Sequence, residues 1–244
     1  MTSAGRYTLY LQVNDWTIQN GTIKNTYAAS KDGTLYVGGS YNSTTLKNLT
    51  VESATNGVYF AIASNKNGIK TSITVEDGTK ISGNYGVYMK GQPKPWKNTR
   101  DGQEILNVNG GEITGTTAAI AVFGPEKGNT KAGVIVNING GKVYSDGYAI
   151  AGNGTSVLEK TTININGGEV ISAKDTAIYH PQAGTVTISG GTVSGVTGGV
   201  QMCAGTLNVT GGTITATGNG DVSGKTGDGS IPDGAAVSVV NRVY

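Results

Sequence analysis

The sequence predicts an all-β protein: a right-handed parallel β-helix of about eight coils, each of three short strands joined by Gly-Gly turns. Three observations carry that expectation. A strand–Gly–Gly–strand phrase recurs as "LNVNGGEITG", "VNINGGKVYS", "ININGGEVIS", "VTISGGTVSG" and "LNVTGGTITA". Its spacing suits a solenoid, since Gly78, Gly111, Gly141, Gly168, Gly191 and Gly212 follow one another at separations falling from 33 to 21 residues. No stretch keeps a helical period for three turns, whereas aliphatic and polar residues alternate in every phrase.

The 244 residues divide as one domain. Residues 1–60 hold degenerate coils, 70–217 regular ones, 218–234 a glycine-rich insertion and 235–244 an incomplete last coil. In the degenerate part, "WTIQNGTIKN" and "TLKNLTVES" read as two weak coils. In a regular unit the first strand alternates, as with Ile163 and Ile165 around Asn164, so its aliphatics share one face. The glycine pair then turns the chain, because glycine enters positive φ without a Cβ clash. A second strand follows, such as Glu169-Val170-Ile171. The third places a small residue before Ile or Val, as in "GVYFAI", "GVYMKG", "AAIAVF", "YAIAG", "TAIYH", "GGVQMC" and "AAVSVV". The right hand follows from the preference of parallel crossovers.

Three inward columns result. Val75, Val108, Ile138, Ile165, Ile188 and Val209 form one. Ile81, Ile113, Val143, Val170, Val193 and Ile214 form the second. Val58, Val87, Ile120, Ile150, Ile178, Val200 and Val237 form the third. At about 4.8 Å per rung the rod would be roughly 40 Å long.

Composition narrows the function classes. With 18 basic and 16 acidic residues, no bulk field points to nucleic acid. No apolar run approaches the roughly 20 residues of a membrane helix, so no membrane insertion is expected. Met1–Tyr10 does not read as a signal peptide. Cys203 and His180 are the only residues of their kinds, which leaves no disulfide framework and no cysteine cluster for zinc.

Insertions gather at one corner, after the third strand: 64–71, 90–104, 124–133, 152–160, 180–184 and 203–205. Functional residues tend to sit on such loops. The corner is basic, with Lys66, Lys70, Lys90, Lys94, Lys97, Arg100, Lys127, Lys131 and Lys160. Its longest loop, "KGQPKPWKNTRDGQE", sets Trp96 among prolines and cations. An indole there can lie on the apolar face of a sugar while Lys94, Lys97 and Arg100 meet carboxylates; otherwise Trp96 folds back onto the barrel. Tyr59, Tyr88 and Tyr179 lie outward on the third face near that corner; Tyr59 and Tyr88, on neighbouring coils, offer a stacking platform or are ordinary strand tyrosines. The outward ladder Thr74, Asn107, Asn137, Asn164, Thr187 and Asn208 reads as a soluble wall of stacked amides, with ice binding as its less favoured alternative.

Enzyme chemistry finds less support. Glu112, Lys142 and Glu169 recur at one position, and the two glutamates would stand about 9.6 Å apart with an ammonium between them. That separation suits an inverting glycosidase, but the cation would lower both carboxyl pKa values, against a general-acid role. No cofactor is required, although calcium near Asp221, Asp228 and Asp233 is conceivable in the glycine-rich insertion. His180 leans inward near Cys203, as a small polar core pair rather than a catalytic dyad.

The phrases "ININGGEVISA", "LNVNGGEITG" and "VTISGGTVSG" resemble the repeats of pectate-lyase-like parallel β-helix proteins, among them carbohydrate-binding repeats on bacterial cell surfaces. The resemblance covers residues 70–217 well and the first 60 weakly. It implies an acidic polysaccharide as ligand, while the calcium aspartates and arginine motif of the enzymatic relatives have no clear counterpart. The expectation is therefore a non-enzymatic, adhesin-like extracellular surface β-helix that binds glycan. The alternatives are a polysaccharide lyase or glycoside hydrolase, or a structural phage tail-fibre or filament component at a virion surface. No capping helix is legible at either end, which suggests a piece of a longer protein or self-association through the uncapped ends.

Overall fold

The structure is a computed structural model that describes residues 1–12, 14–28, 33–39, 42–61, 68–90, 102–123, 133–152, 161–218, 225–226, 229–230 and 234–240. Its strands form one continuous sheet of 22 members that winds on itself as a parallel β-helix. Each strand pairs in parallel with its counterpart one coil further on. A separate antiparallel pair, Lys225–Thr226 with Gly229–Ser230, lies within the glycine-rich 218–234 segment.

Coils repeat in three walls. In the coil around residue 165 these are Thr161–Ile165, Glu169–Ser172 and Thr176–His180. Upstream, single strands run through two walls, as in Lys80–Met89 and Glu112–Val122. The register places every expected inward residue in its column and lengthens each column at the N-terminal end. Ile18 and Leu46 precede Val75, Ile23 and Val51 precede Ile81, and Leu9 and Leu35 precede Val58. The two weak coils are therefore full coils. Part of another lies above them: Thr2–Ser3 pairs with Lys24–Asn25, and Leu9–Leu11 with Leu35–Val37.

Interior aliphatics such as Ile138, Ile165 and Val170 are fully buried, each contributing about 1.5–3 kcal/mol relative to exposure. A coil alone could not hide them, so stability comes from the stack. At the C-terminal end the same columns emerge: Val209 is 51% exposed and Val239 81%.

The turns divide labour between the two glycines of each pair. The second, at positions 111, 141, 168, 191 and 212, has φ between 70° and 78°, as does Gly78, which follows Asp77 rather than a glycine. The first does not need positive φ. It needs the absence of a side chain, since a Cβ on Gly167 would stand 2.6 Å from the Asn139 carbonyl oxygen of the coil above. The positive φ expected of the glycine turns is thus carried by the second glycine alone. In the first coils Asn20 and Asn48 take that conformation instead (φ 59° and 46°). Asparagine is among the few side-chain-bearing residues that enter this region readily.

The insertions begin and end closer to the corner than the sequence suggests. Ile69 and Thr71 are buried strand residues, and Glu104, Gly133, Gly152, His180 and Gly184 also belong to strands. Thr71 and Glu104 occupy inward positions of a strand, and their polarity disguised the alternation that continues through Ile73 and Leu106.

Candidate ligand-binding face

Among the described residues, the outer surface of the third wall carries a long run of stacked aromatic rings. One outward column runs Tyr10, Tyr36, Tyr59, Tyr88, Ala121, Ala151, Tyr179, Gln201 and Ser238. Parallel pairing in register brings equivalent positions within about 4.8 Å, which lets aromatic rings stack from rung to rung. Tyr10 lies on Tyr36 at 4.5 Å between ring centroids, Tyr36 on Tyr59 at 5.8 Å, and Tyr59 on Tyr88 at 5.3 Å with planes 6° apart. At the next rung Ala121 supplies no ring, and Phe123 reaches back to stack on Tyr88 at 4.6 Å. Tyr7 tilts against Tyr10 and Tyr36, and Tyr85 packs edge-on against Tyr88 and Phe123. Lower down, Tyr148 stacks on Tyr179 at 5.3 Å.

Exposure is graded along the ladder. Tyr10 is 46% exposed, Tyr88 half-buried, and Tyr36 and Tyr59 buried. The faces of Tyr36 and Tyr59 are occupied by their neighbours in the stack. Burial, reinforced by Tyr10, Tyr7, Tyr59 and Glu104, pushes the Tyr36 phenol far above its ordinary range. Burial also raises Tyr88, aided by Tyr59 and opposed by Lys90. Both phenols therefore stay protonated at neutral pH. Lys90, one of the cations expected at the insertion corner, thus acts electrostatically on a ring of the ladder. Arg6 places its guanidinium 5.3 Å from the Tyr7 ring.

Of the residues singled out from sequence, Tyr59 and Tyr88 are brought together as direct stacking partners. Lys94, Trp96, Lys97 and Arg100 lie outside the described residues, as do Asp221, Asp228 and Asp233. The sequence reading missed Tyr7, Tyr10, Tyr36, Tyr85 and Phe123. The signal was available: "LYL" and "LYV" hold a tyrosine between inward aliphatics, as "VYF" and "VYM" do.

The other candidates take structural places. Glu112, Lys142 and Glu169 share one column, which Lys80 extends upward, giving alternating charge along the second wall. Lys142 Nζ is 4.0 Å from Glu112 Oε1 and 5.2 Å from the Tyr144 ring. Outside the first wall, Asn164 Nδ2 donates to Asn137 and Asn137 Nδ2 to Asn107, each at 2.8 Å. A second amide ladder, Asn166 to Asn139 to Asn109, follows the turn.

His180 lies in an inward core column, between the register positions of Gly152 above and Met202 below. It is fully buried, neither ring nitrogen has a hydrogen-bond partner, and burial lowers its pKa to about 4. Its contact with Cys203 is through the backbone, with the Cys203 amide donating to the His180 carbonyl at 2.9 Å. The expected polar core pair is thus not formed through the imidazole.

Compared with family models, curated proteins and solved structures, the chain matches none.

Proposed function

We propose that this chain is a non-enzymatic, extracellular surface β-helix that binds glycan along the outer face of its third wall and the adjoining insertion corner. The ladder from Tyr10 to Phe123 supports the reading most directly, because five rings in one stack form an apolar strip edged with phenol hydroxyls. Sugars offer complementary chemistry, with C–H faces for aromatic surfaces and hydroxyls for polar edges. Lys90 beside the ladder, with Lys94, Lys97 and Arg100 in the following loop of the sequence, favours an acidic polysaccharide. The repeat likeness to pectate-lyase-like surface proteins points the same way.

A glycan array with the isolated protein tests this. Acidic oligosaccharides are expected to bind, and Tyr88→Ala and Trp96→Ala should each weaken binding by about tenfold, the loss of roughly 1.4 kcal/mol. Absence of binding across the array, or binding indifferent to both substitutions, would reject the reading.

One observation favours a structural role as a second reading. The last described coil leaves Val209, Val237 and Val239 open to solvent. A further rung, from the same polypeptide or another, would cover them. Light scattering of the purified chain distinguishes the cases, since end-to-end association raises the mass with concentration and Val209→Lys should suppress it.

A further inference from the structure

The most exposed apolar side chains lie at the two ends of the rod. Among the described residues, Met1, Tyr10, Trp16 and Tyr27 are exposed in the first coils, and Val209, Val237 and Val239 in the last. Aliphatics that pack on the core yet stay partly uncovered divide the same way. Leu9 and Ile18 lie at one end, Leu207 and Ile214 at the other.

Both ends also present strands that pair on one side only among the described residues. Thr206–Val209, Thr213–Ala216 and Ala235–Val239 each pair with the preceding coil. At the opposite end Thr2–Ser3, Leu9–Leu11 and the stretch from Trp16 to Gln19 each pair with the following one. Exposed edges are ordinarily guarded against pairing with another chain by charged residues or proline. These six stretches contain no Lys, Arg, Asp, Glu or Pro.

The two ends match each other because every column runs the length of the rod. In the first wall, the columns that finish at Leu207 and Val209 start at Trp16 and Ile18. In the second, the column that finishes at Thr215 starts at Thr2. In the third, the column that finishes at Val237 starts at Leu9. One added rung of about 4.8 Å therefore sets apolar on apolar, with the outward Asn208 against Thr17.

We propose that the chain associates head to tail, the C-terminal end of one copy pairing with the N-terminal end of the next. Leu207, Val209 and Val237 of one copy then meet Trp16, Ile18 and Leu9 of the next, and all three walls continue in parallel across the joint. The inference rests on the structural reading above and names its partner as a second copy of this chain. The two surfaces differ, so the contact is heterologous and each addition leaves a fresh end for another.

Analytical ultracentrifugation of the purified chain tests this, and its mass should rise with concentration beyond that of a dimer. Ile18→Lys and Val209→Lys each place an ammonium in one half of the joint. Each should raise the concentration needed for association at least tenfold. Mixed in equal amounts, the two variants should form a complex that stops at two copies, because only one end of each remains competent. Circular dichroism checks that both fold, and Trp16→Lys, at an exposed position, replaces Ile18→Lys if it does not. Association of the parent that only one substitution suppresses, or neither, overturns the head-to-tail joint and leaves the broader structural reading standing. A mixture that stays monomeric does the same. A parent chain that is monomeric at every concentration removes both.

Discussion

His180 shows how one side chain can make this fold sensitive to acid. Its imidazole sits in an aliphatic column with no partner, and burial lowers its pKa from 6.5 to about 4. The native state therefore holds the neutral ring, and unfolding releases a stronger base. Above the unfolded pKa neither state is protonated and the native state keeps its full stability. Between pH 6.5 and about 4 only the unfolded chain takes the proton, and stability drains away; below about 4 the loss is complete. The loss attributable to this residue should reach about 3 kcal/mol. Urea denaturation at pH 7, 5.5 and 4 should show the decline in the parent chain and a smaller one in His180→Leu. Equal pH dependence in both would assign the acid sensitivity to other groups.

Single residues also decide the turns. At Gly141 an added side chain meets both an unfavourable φ and the backbone of the coil above, with the Gly110 carbonyl carbon 2.6 Å from the Cβ position. Gly141→Ala should therefore destabilise, and by more than the roughly 0.4–1 kcal/mol that the same change gains at a site whose φ suits alanine. Gly68, whose φ is also positive but which has open space around it, should tolerate asparagine with little loss. Thermal unfolding of the two variants compares them directly.

At the scale of the element, the first wall is bound twice, by backbone pairing and by its amide ladders. Asn137 is the middle member, donating to Asn107 and accepting from Asn164. Asn137→Ala breaks both contacts on a half-buried face and should destabilise by about 1–2 kcal/mol. Asn166→Ala, on the exposed ladder, should cost less. What was legible in the sequence follows the same division. Columns of the regular coils could be read because Gly-Gly fixed the phase of the alternation on either side of it. The first coils were harder, because Asn20 and Asn48 make the same turn without the glycine that marks it. Tyr10 and Tyr36 were lost with that phase, although each has the aliphatic–Tyr–aliphatic pattern of Tyr59 and Tyr88. Phe123 was beyond a column-based reading, since it lies two residues past Ala121 and yet stacks on Tyr88.

Over the whole molecule, stability is distributed by position along the rod. Ile138 is enclosed by coils on both sides, whereas Val209 occupies the same column at an open face. Ile138→Ala should cost about 2–5 kcal/mol, as cavity-forming changes do, while Val209→Ala should cost well under 1 kcal/mol. Comparable losses at the two sites would contradict a stack whose ends are less buried than its middle.

The coils keep their pairing even though the repeat shortens from 33 residues to 21 along the chain. Each circuit closes upon the one before it, and the differences in length fall between the third strand of one coil and the first strand of the next, leaving the register of the walls intact. Length in those corner segments is therefore uncoupled from alignment everywhere else. A segment there could be exchanged for a longer, shorter or foreign one while the aromatic strip stays where it is.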